Sequence, residues 1–395
     1  MNSRALAGQV DEPLRPRPQR HTTLRRQQYA TRALFGIAGF AAAAWASVVP
    51  FAKSRAGLDE GALGLLLLCL GAGSILTMPL VGALCARHGC RIVIWVASAM
   101  IALTLPLLVT ASTAPALGAV LFVFGAGLGA VDCAINIQAV IVEAASGRPM
   151  MSGFHGFYSA GGIVGAAGVS SALSLGLSPL GGMLLASGLV LVTLWWVSGG
   201  LLPHGSPREG PVFAVPRGFV LLLGVLAFSM FLAEGAMLDW SAVFLTQERG
   251  LPSAQAGFGF ACFALAMTVG RFCGDAIVRR LGPVHVVLGG SLLAASGVTM
   301  ATLIPAWQLS LAGYALLGLG ASNIVPVLFS AAGRQKAMSQ AAAIPAIATL
   351  GYAGVLCGPA GIGFVAHHTG LPVAFLVVAG LLVLVAAAAP ALRDR

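Results

Sequence analysis

Long apolar runs recur along this chain, broken by short clusters of proline, glycine and charged residues. A helix needs about 20 residues to cross the hydrocarbon core of a bilayer. Read against that length, the runs predict twelve membrane-spanning helices, over residues 33–52, 61–85, 92–111, 115–138, 153–175, 180–202, 218–245, 255–278, 284–304, 308–331, 342–366 and 371–391. The runs do not alternate apolar with polar positions, as the strands of a transmembrane barrel would. The longest internal break, PHGSPREGPVFAVPR at 203–217, divides the helices six and six. The two halves echo each other: GLGAVD (127–132) in the fourth span and GLGASN (318–323) in the tenth hold the same place within their halves, pairing Asp132 with Asn323. The expected organisation is a disordered basic tail over 1–32, a six-helix bundle over 33–202, a linker over 203–217, a second bundle over 218–391 and a short end at 392–395. Parallel six-helix repeats place a pathway between the bundles, near the bilayer midplane.

Composition strengthens the membrane reading. Of 395 residues, 58% are hydrophobic and 9% charged, and the mean hydropathy is +0.93. A soluble domain carries about 25% charged residues, so too few are present here to cover a water-facing surface. The net charge of +10 is loop charge that orients the protein in the bilayer, not a nucleic-acid footprint. With the N-terminus inside, nineteen of the 22 Lys and Arg residues fall on the cytoplasmic side, leaving Lys53, Arg55 and Arg249 outside. That bias predicts that both termini are cytoplasmic, and an odd number of spans would destroy it. The seven cysteines form no CxxC pair and the seven histidines show no metal-ligand spacing, so buried thiols are expected rather than disulfides or a metal site. A Walker loop and a nucleophile elbow are both lacking, which argues against ATP-driven transport, enzyme activity and any cofactor. The first apolar run begins at Ala33, too late for a cleaved signal peptide.

Two stretches carry a family resemblance. The loop between the second and third spans, GALCARHGCR (82–91), resembles the signature loop of the major facilitator superfamily at Gly82, Leu84, Arg87, Gly89 and Arg91. Ala86 stands where that signature has Asp, and Cys90 replaces its first closing basic residue. The second-half counterpart, GRFCGDAIVRRLG (270–282), does hold an acid, Asp275, between Arg271 and Arg279. NIQAVIVEAASGRPMMSGFHGFYSAGG (136–162) and EGAMLDWSAVFL (234–245) resemble a bacterial branch of that superfamily that includes rhizopine-transporter-like proteins. Members of that branch often carry an Arg before the first-span proline, where WASVVP (45–50) has Val48. The resemblance implies an all-α integral membrane fold of two six-helix bundles and secondary transport. It also implies that Gly82, Arg87, Gly89, Arg91, Arg271, Asp275 and Arg279 belong to the cytoplasmic loops that control opening.

Ionisable residues inside spans are costly, about 2.5–3.5 kcal/mol each on insertion scales, so each needs a partner or water. Glu234 and Asp239 share one span. Five helical steps set them about 140° and about 7.5 Å apart. Glu234 lies near mid-depth and is the leading candidate for proton binding or substrate contact. Asp239 sits beside Trp240 near the outer end, where a structural or gating role fits. Arg271, on the returning eighth span and somewhat deeper toward the cytoplasm, is the nearest basic candidate for Glu234; the local alternative pairs it with Asp275, four residues on along the same helix face. Asp132 and Asn136 share a face of the fourth span, and the returning span brings His155, Tyr158 and Ser159 alongside. These groups read either as a proton and substrate site or as hydrogen-bonding glue between helices. Glu143 reads as a solvated or Arg148-paired surface residue. Asn323 is a candidate hydrogen-bonding group for substrate, and Tyr352 and Trp45 either line the cavity or pack. The glycines of GGIVG (161–165) and GAGSILTMPLVG (71–82) let backbones approach closely.

The reading that follows is a proton-coupled secondary transporter of the cell inner membrane, monomeric, working by alternating access. Its substrate would be a small sugar- or polyol-like or cationic solute, its coupling acids Glu234 and Asp132 with His155 assisting. A drug-type exporter of the same architecture and a non-transporting sensor or scaffold are the alternatives.

Overall fold

The computed structural model describes residues 18–207, 215–252 and 255–393, and these contain helices and no strand. Most of the expected tail (1–17), the middle of the expected linker (208–214) and residues 394–395 lie outside the described residues. The helices are α1 (Pro18–Arg55), α2 (Glu60–Thr110), α3 (Ala114–Ser146), α4 (Met151–Ser174), α5 (Pro179–Val197), α6 (Gly218–Gln247), α7 (Phe258–Leu303), α8 (Trp307–Ala321), α9 (Ile324–Arg334), α10 (Gln340–Thr369) and α11 (Leu371–Ala388). Nine helices among the described residues are long and apolar enough to cross a membrane, α8 and α9 counting together. Local chemistry sets several starts: the Asp59 carboxylate accepts from Ala62 N–H, the Ser178 hydroxyl from Gly181 N–H, and prolines sit in the first turns of α3, α5 and α11.

The first helix starts fifteen residues before the apolar run, at Pro18, so residues 18–32 are helical and not part of a disordered tail. The polar residues there find partners on α3: Gln28 Nε2 donates to Ser146 Oγ at 2.9 Å, and Gln138 Nε2 donates to Thr31 Oγ1 at 3.0 Å. Apolar length marks where a helix can enter lipid, but not where it begins.

Two pairs of expected spans run together. The pair 61–85 and 92–111 forms α2, bent at Gly89 (φ 82°), and the pair 255–278 and 284–304 forms α7, bent at Gly282 (φ 78°). A positive φ is open to glycine at little steric cost, so each glycine turns the chain back with almost no loop. The expected span 308–331 is instead two helices, α8 and α9, broken at Ser322 and Asn323.

Close backbone approaches fasten neighbouring helices. A methyl group on Gly73 would meet Phe122 O, one on Gly161 would meet Gly36 O, and one on Gly165 would meet Phe40 O. These contacts join α2 to α3 and α1 to α4, as the small-residue stripes predicted. Gly290 against Gly320 and Gly297 against Gly313 join α7 to α8 in the same way. Between α1–α5 and α6–α11 runs a seam, crossed chiefly by α2 against α10 and α4 against α7. The outer faces are apolar and exposed, with Leu103, Leu185, Trp195, Trp196 and Phe364 among them, as lipid requires.

Candidate functional site

Glu234 lies midway along α6, facing the seam, and its carboxylate meets Arg271 of α7: Nη2 donates to Oε1 at 3.3 Å. The side chains are 8% exposed for Arg271 and 21% for Glu234, so the pair is nearly enclosed and the acid keeps some access. The same guanidinium donates from Nη1 to the Ser159 hydroxyl of α4 at 2.7 Å and from Nε to the Ser322 carbonyl, at the end of α8, at 3.4 Å. One cation therefore ties together three chain segments on both sides of the seam. The planar fork of arginine suits this task, since its donors diverge at fixed angles.

The expected Arg271–Asp275 pair is absent. Asp275 lies one turn further along α7 and turns to α4, where Gly153 N–H donates to its Oδ2 at 3.1 Å and Ser152 N–H is directed at the same carboxylate. The first turn of α4 has unsatisfied N–H groups. Glu143 accepts from Met150 and Met151 N–H at 2.8 and 2.9 Å, and Asp275 takes the next two from across the seam. Glu143 is thus a helix cap, not an Arg148 partner, and Asp275 is a cap supplied by the opposite group of helices. Sequence spacing located these acids, but a helix-local rule chose the wrong partners for them.

Around the ion pair lie further polar groups. Asn136 Nδ2 donates to the Asp132 carbonyl at 2.9 Å and to its Oδ1 at 3.4 Å. Tyr158 stands within electrostatic reach of Asp132, Glu234 and Arg271, and Tyr352 within reach of Asp132 and Tyr158. Asp132, Tyr158, Tyr352, Glu234 and Arg271 therefore form one polar neighbourhood contributed by α3, α4, α6, α7 and α10. Asn323 lies at the α8–α9 break. Its Nδ2 donates to Gly270 O at 3.1 Å, and its Oδ1 is buried without a partner. Ser159, which hairpin folding sets near the level of Asp132, instead accepts from Arg271.

His155 also stands within electrostatic reach of Arg271, but its immediate surroundings are aromatic. Its ring lies between Phe35 at 5.1 Å and Phe329 at 5.9 Å, and Nε2 has no partner. Trp45 packs edge-on to Phe124 and is buried, which is the packing alternative. Asp239 is exposed, and its neighbour Trp240 lies against Gly363. Arg87 and Arg279 are exposed at one end of the bundle. There Arg91 donates to Leu201 O at 3.0 and 3.2 Å, Gly89 abuts Pro203 O, and Gly82 abuts Ala341 O at the start of α10. The signature loop thus docks on the end of its own group of helices through Arg91 and Gly89, and on the other group through Gly82. At this end the seam is shut.

Residues 221–395 match the family model described as Major Facilitator Superfamily. An uncharacterised MFS-type transporter of Yersinia pestis is 55% identical over 366 residues, covering 92% of this chain and 95% of the relative. The membrane protein MosC of Rhizobium meliloti is 30% identical, covering 90% of this chain and 87% of its own. Among solved structures, the fucose:proton symporter FucP of E. coli superposes with a TM-score of 0.79 at 16% identity, covering 93% of this chain and 98% of that one.

Proposed function

From the premise that the chain belongs to the major facilitator superfamily, we propose that it is a proton-coupled secondary transporter of a small solute, with the Glu234–Arg271 pair as its coupling element. It is a multi-pass membrane transport protein and not an enzyme. Twelve passes in two six-helix units are supported by the nine apolar helices, once the arms of α2 and α7 on either side of Gly89 and Gly282 are counted apart and α4 is added. The concentration of Lys and Arg at the end holding Arg87, Arg91, Arg279 and Arg334 supports a cytoplasmic placement of that end and of both termini, in an inner membrane. The shut end is then the cytoplasmic one.

The observation that carries the reading is a single cation, nearly buried, bonded at once to a carboxylate and to groups from both sides of the seam. A proton taken by Glu234 neutralises the carboxylate and frees one guanidinium arm. The freed donors, with Tyr158, Tyr352 and Asn323, offer hydrogen bonds to a solute rich in hydroxyl groups. Asp132 supplies a second acid within the same neighbourhood. Loss of the proton on the other side restores the pair and expels the solute, which is alternating access driven by one ion pair. The abundance of hydroxyl and amide groups favours a sugar- or polyol-like solute.

The test is Glu234→Gln in proteoliposomes, assayed with a panel of radiolabelled sugars and polyols with and without a pH gradient. The substitution keeps a hydrogen-bonding shape but cannot ionise. Exchange of bound solute should persist while gradient-driven accumulation is lost. Normal accumulation by the variant removes Glu234 from the coupling step. A wild-type protein that moves no solute in the panel, gradient or none, favours the sensor or scaffold alternative.

A further inference from the structure

A second site lies at the shut end of the bundle, away from the polar neighbourhood around Glu234. A cavity of about 600 Å³ opens there, lined by Arg148 after α3, Arg279 before the α7 bend, Arg334 at the end of α9 and Arg393 beyond α11. That volume falls within the range of small-molecule sites, about 300–1,000 Å³. The single acid in the lining, Glu143, is already occupied by Met150 and Met151 N–H. Among the described residues, no carboxylate pairs with Arg148, Arg279 or Arg334. The rest of the wall is largely apolar, including Val140, Pro149, Val278 and Val327.

Loop arginines at the cytoplasmic end of a membrane protein are ordinary and need no ligand. Four of them lining one concavity from four separate segments are a different observation. Such a lining suits an anion with several oxygens, because guanidinium forks match phosphate geometry in pairs. We propose that this cavity binds a phosphate-bearing anion, either a soluble phosphorylated molecule or the headgroup of an anionic phospholipid. The wall spans the seam: Arg148 belongs to the α1–α5 side, and Arg279, Arg334 and Arg393 to the α6–α11 side. A bound anion is therefore shared between the two groups of helices and holds this end shut. By linkage, it shifts the population toward the shut arrangement by the factor by which it prefers that arrangement.

The experiment uses the full-length protein in phosphatidylcholine nanodiscs, with inorganic pyrophosphate as the soluble probe and added phosphatidylglycerol as the lipid probe. Binding is read by calorimetric titration for the first and by the thermal unfolding midpoint for both. At least one probe should raise the midpoint. The Arg279→Gln/Arg334→Gln variant should weaken its effect roughly tenfold or more, since each charge-assisted hydrogen bond lost is worth about that factor. Arg280→Gln, an exposed neighbour outside the lining, serves as the charge control and should leave the effect in place. A response to pyrophosphate in the absence of phosphatidylglycerol identifies a soluble ligand; a response to the lipid alone identifies the headgroup. In either case, bound anion should also slow alkylation of a Ser152→Cys reporter, which lies on the seam at this end. The proposal is overturned if neither probe stabilises the protein, or if the double variant and Arg280→Gln respond alike.

Discussion

Replacing Gly82 by alanine tests whether the shut end is held by direct contact between α2 and α10. A Cβ at this position would collide with Ala341 O and fall 3.0 Å from Pro345 Cγ, against 3.4 Å for ordinary contact, so the two backbones must part. No flexible side chain can give way, because the obstacle is a carbonyl in the first turn of α10. Overpacking of this kind costs roughly 1–3 kcal/mol, and on the proposed reading the penalty falls on the shut arrangement, because opening at this end parts α2 from α10. The equilibrium should therefore move toward opening at this end by roughly 5- to 150-fold. Ser152→Cys is the reporter: Ser152 is 2% exposed and lies against Gly274 across the seam. A membrane-impermeant maleimide, with the modified peptide followed by mass spectrometry to separate it from the native cysteines, should label the reporter faster in the Gly82→Ala background. Gly168→Ala and Gly361→Ala, where the added methyl meets nothing within 4 Å, should leave labelling unchanged. Equal labelling with and without Gly82→Ala would refute the assignment of this contact to the shut state.

Asp275→Ala removes the cap that α4 receives from across the seam; a cap is worth about 0.5–2 kcal/mol, so the same labelling should quicken roughly 2- to 30-fold. Gly89→Ala adds a methyl that meets Pro203 O at a residue with φ 82°, and the unfolding midpoint measured in detergent should fall by several degrees, with strain of roughly 1–2 kcal/mol added to the clash. His155→Phe keeps the ring between Phe35 and Phe329 and removes an unpartnered nitrogen; proteoliposome uptake and its pH profile should survive, and a changed pH profile would return His155 to the coupling machinery.

Much of the helical layout was legible because lipid imposes one demand, an apolar length, and the chain states it openly. What that demand does not constrain was missed. The polar start of α1 is held by Gln28 and Thr31 against α3, which hydropathy cannot register. The α8–α9 break at Asn323 lies in an apolar stretch with no proline until Pro326. The site divided along the same line. Glu234 stood out as an acid in an apolar run, and Asp132 with Asn136 followed from helical spacing, because both signals are local. The partners of Arg271 and Asp275 were not local. The two residues are four apart, yet one reaches α6 and the other α4, since a buried side chain answers to the neighbouring helices rather than to its own.

The glycine contacts differ in kind on the two sides of the seam. Inside each group of helices, many glycines meet main chain: Gly73 meets Phe122 O, Gly165 meets Phe40 O and Gly290 meets Gly320 O. Across the seam glycine mostly meets the tips of side chains, as Gly71 does with Leu356, Gly156 with Phe272 and Gly153 with Asp275, and Gly82 against Ala341 O is the exception. Tips can swivel away on the timescale of rotamer hops, whereas main chain yields only if a whole helix is dragged. Apart from Gly82, the glycine contacts between the two blocks can thus be loosened by side-chain rotation, without melting a single turn.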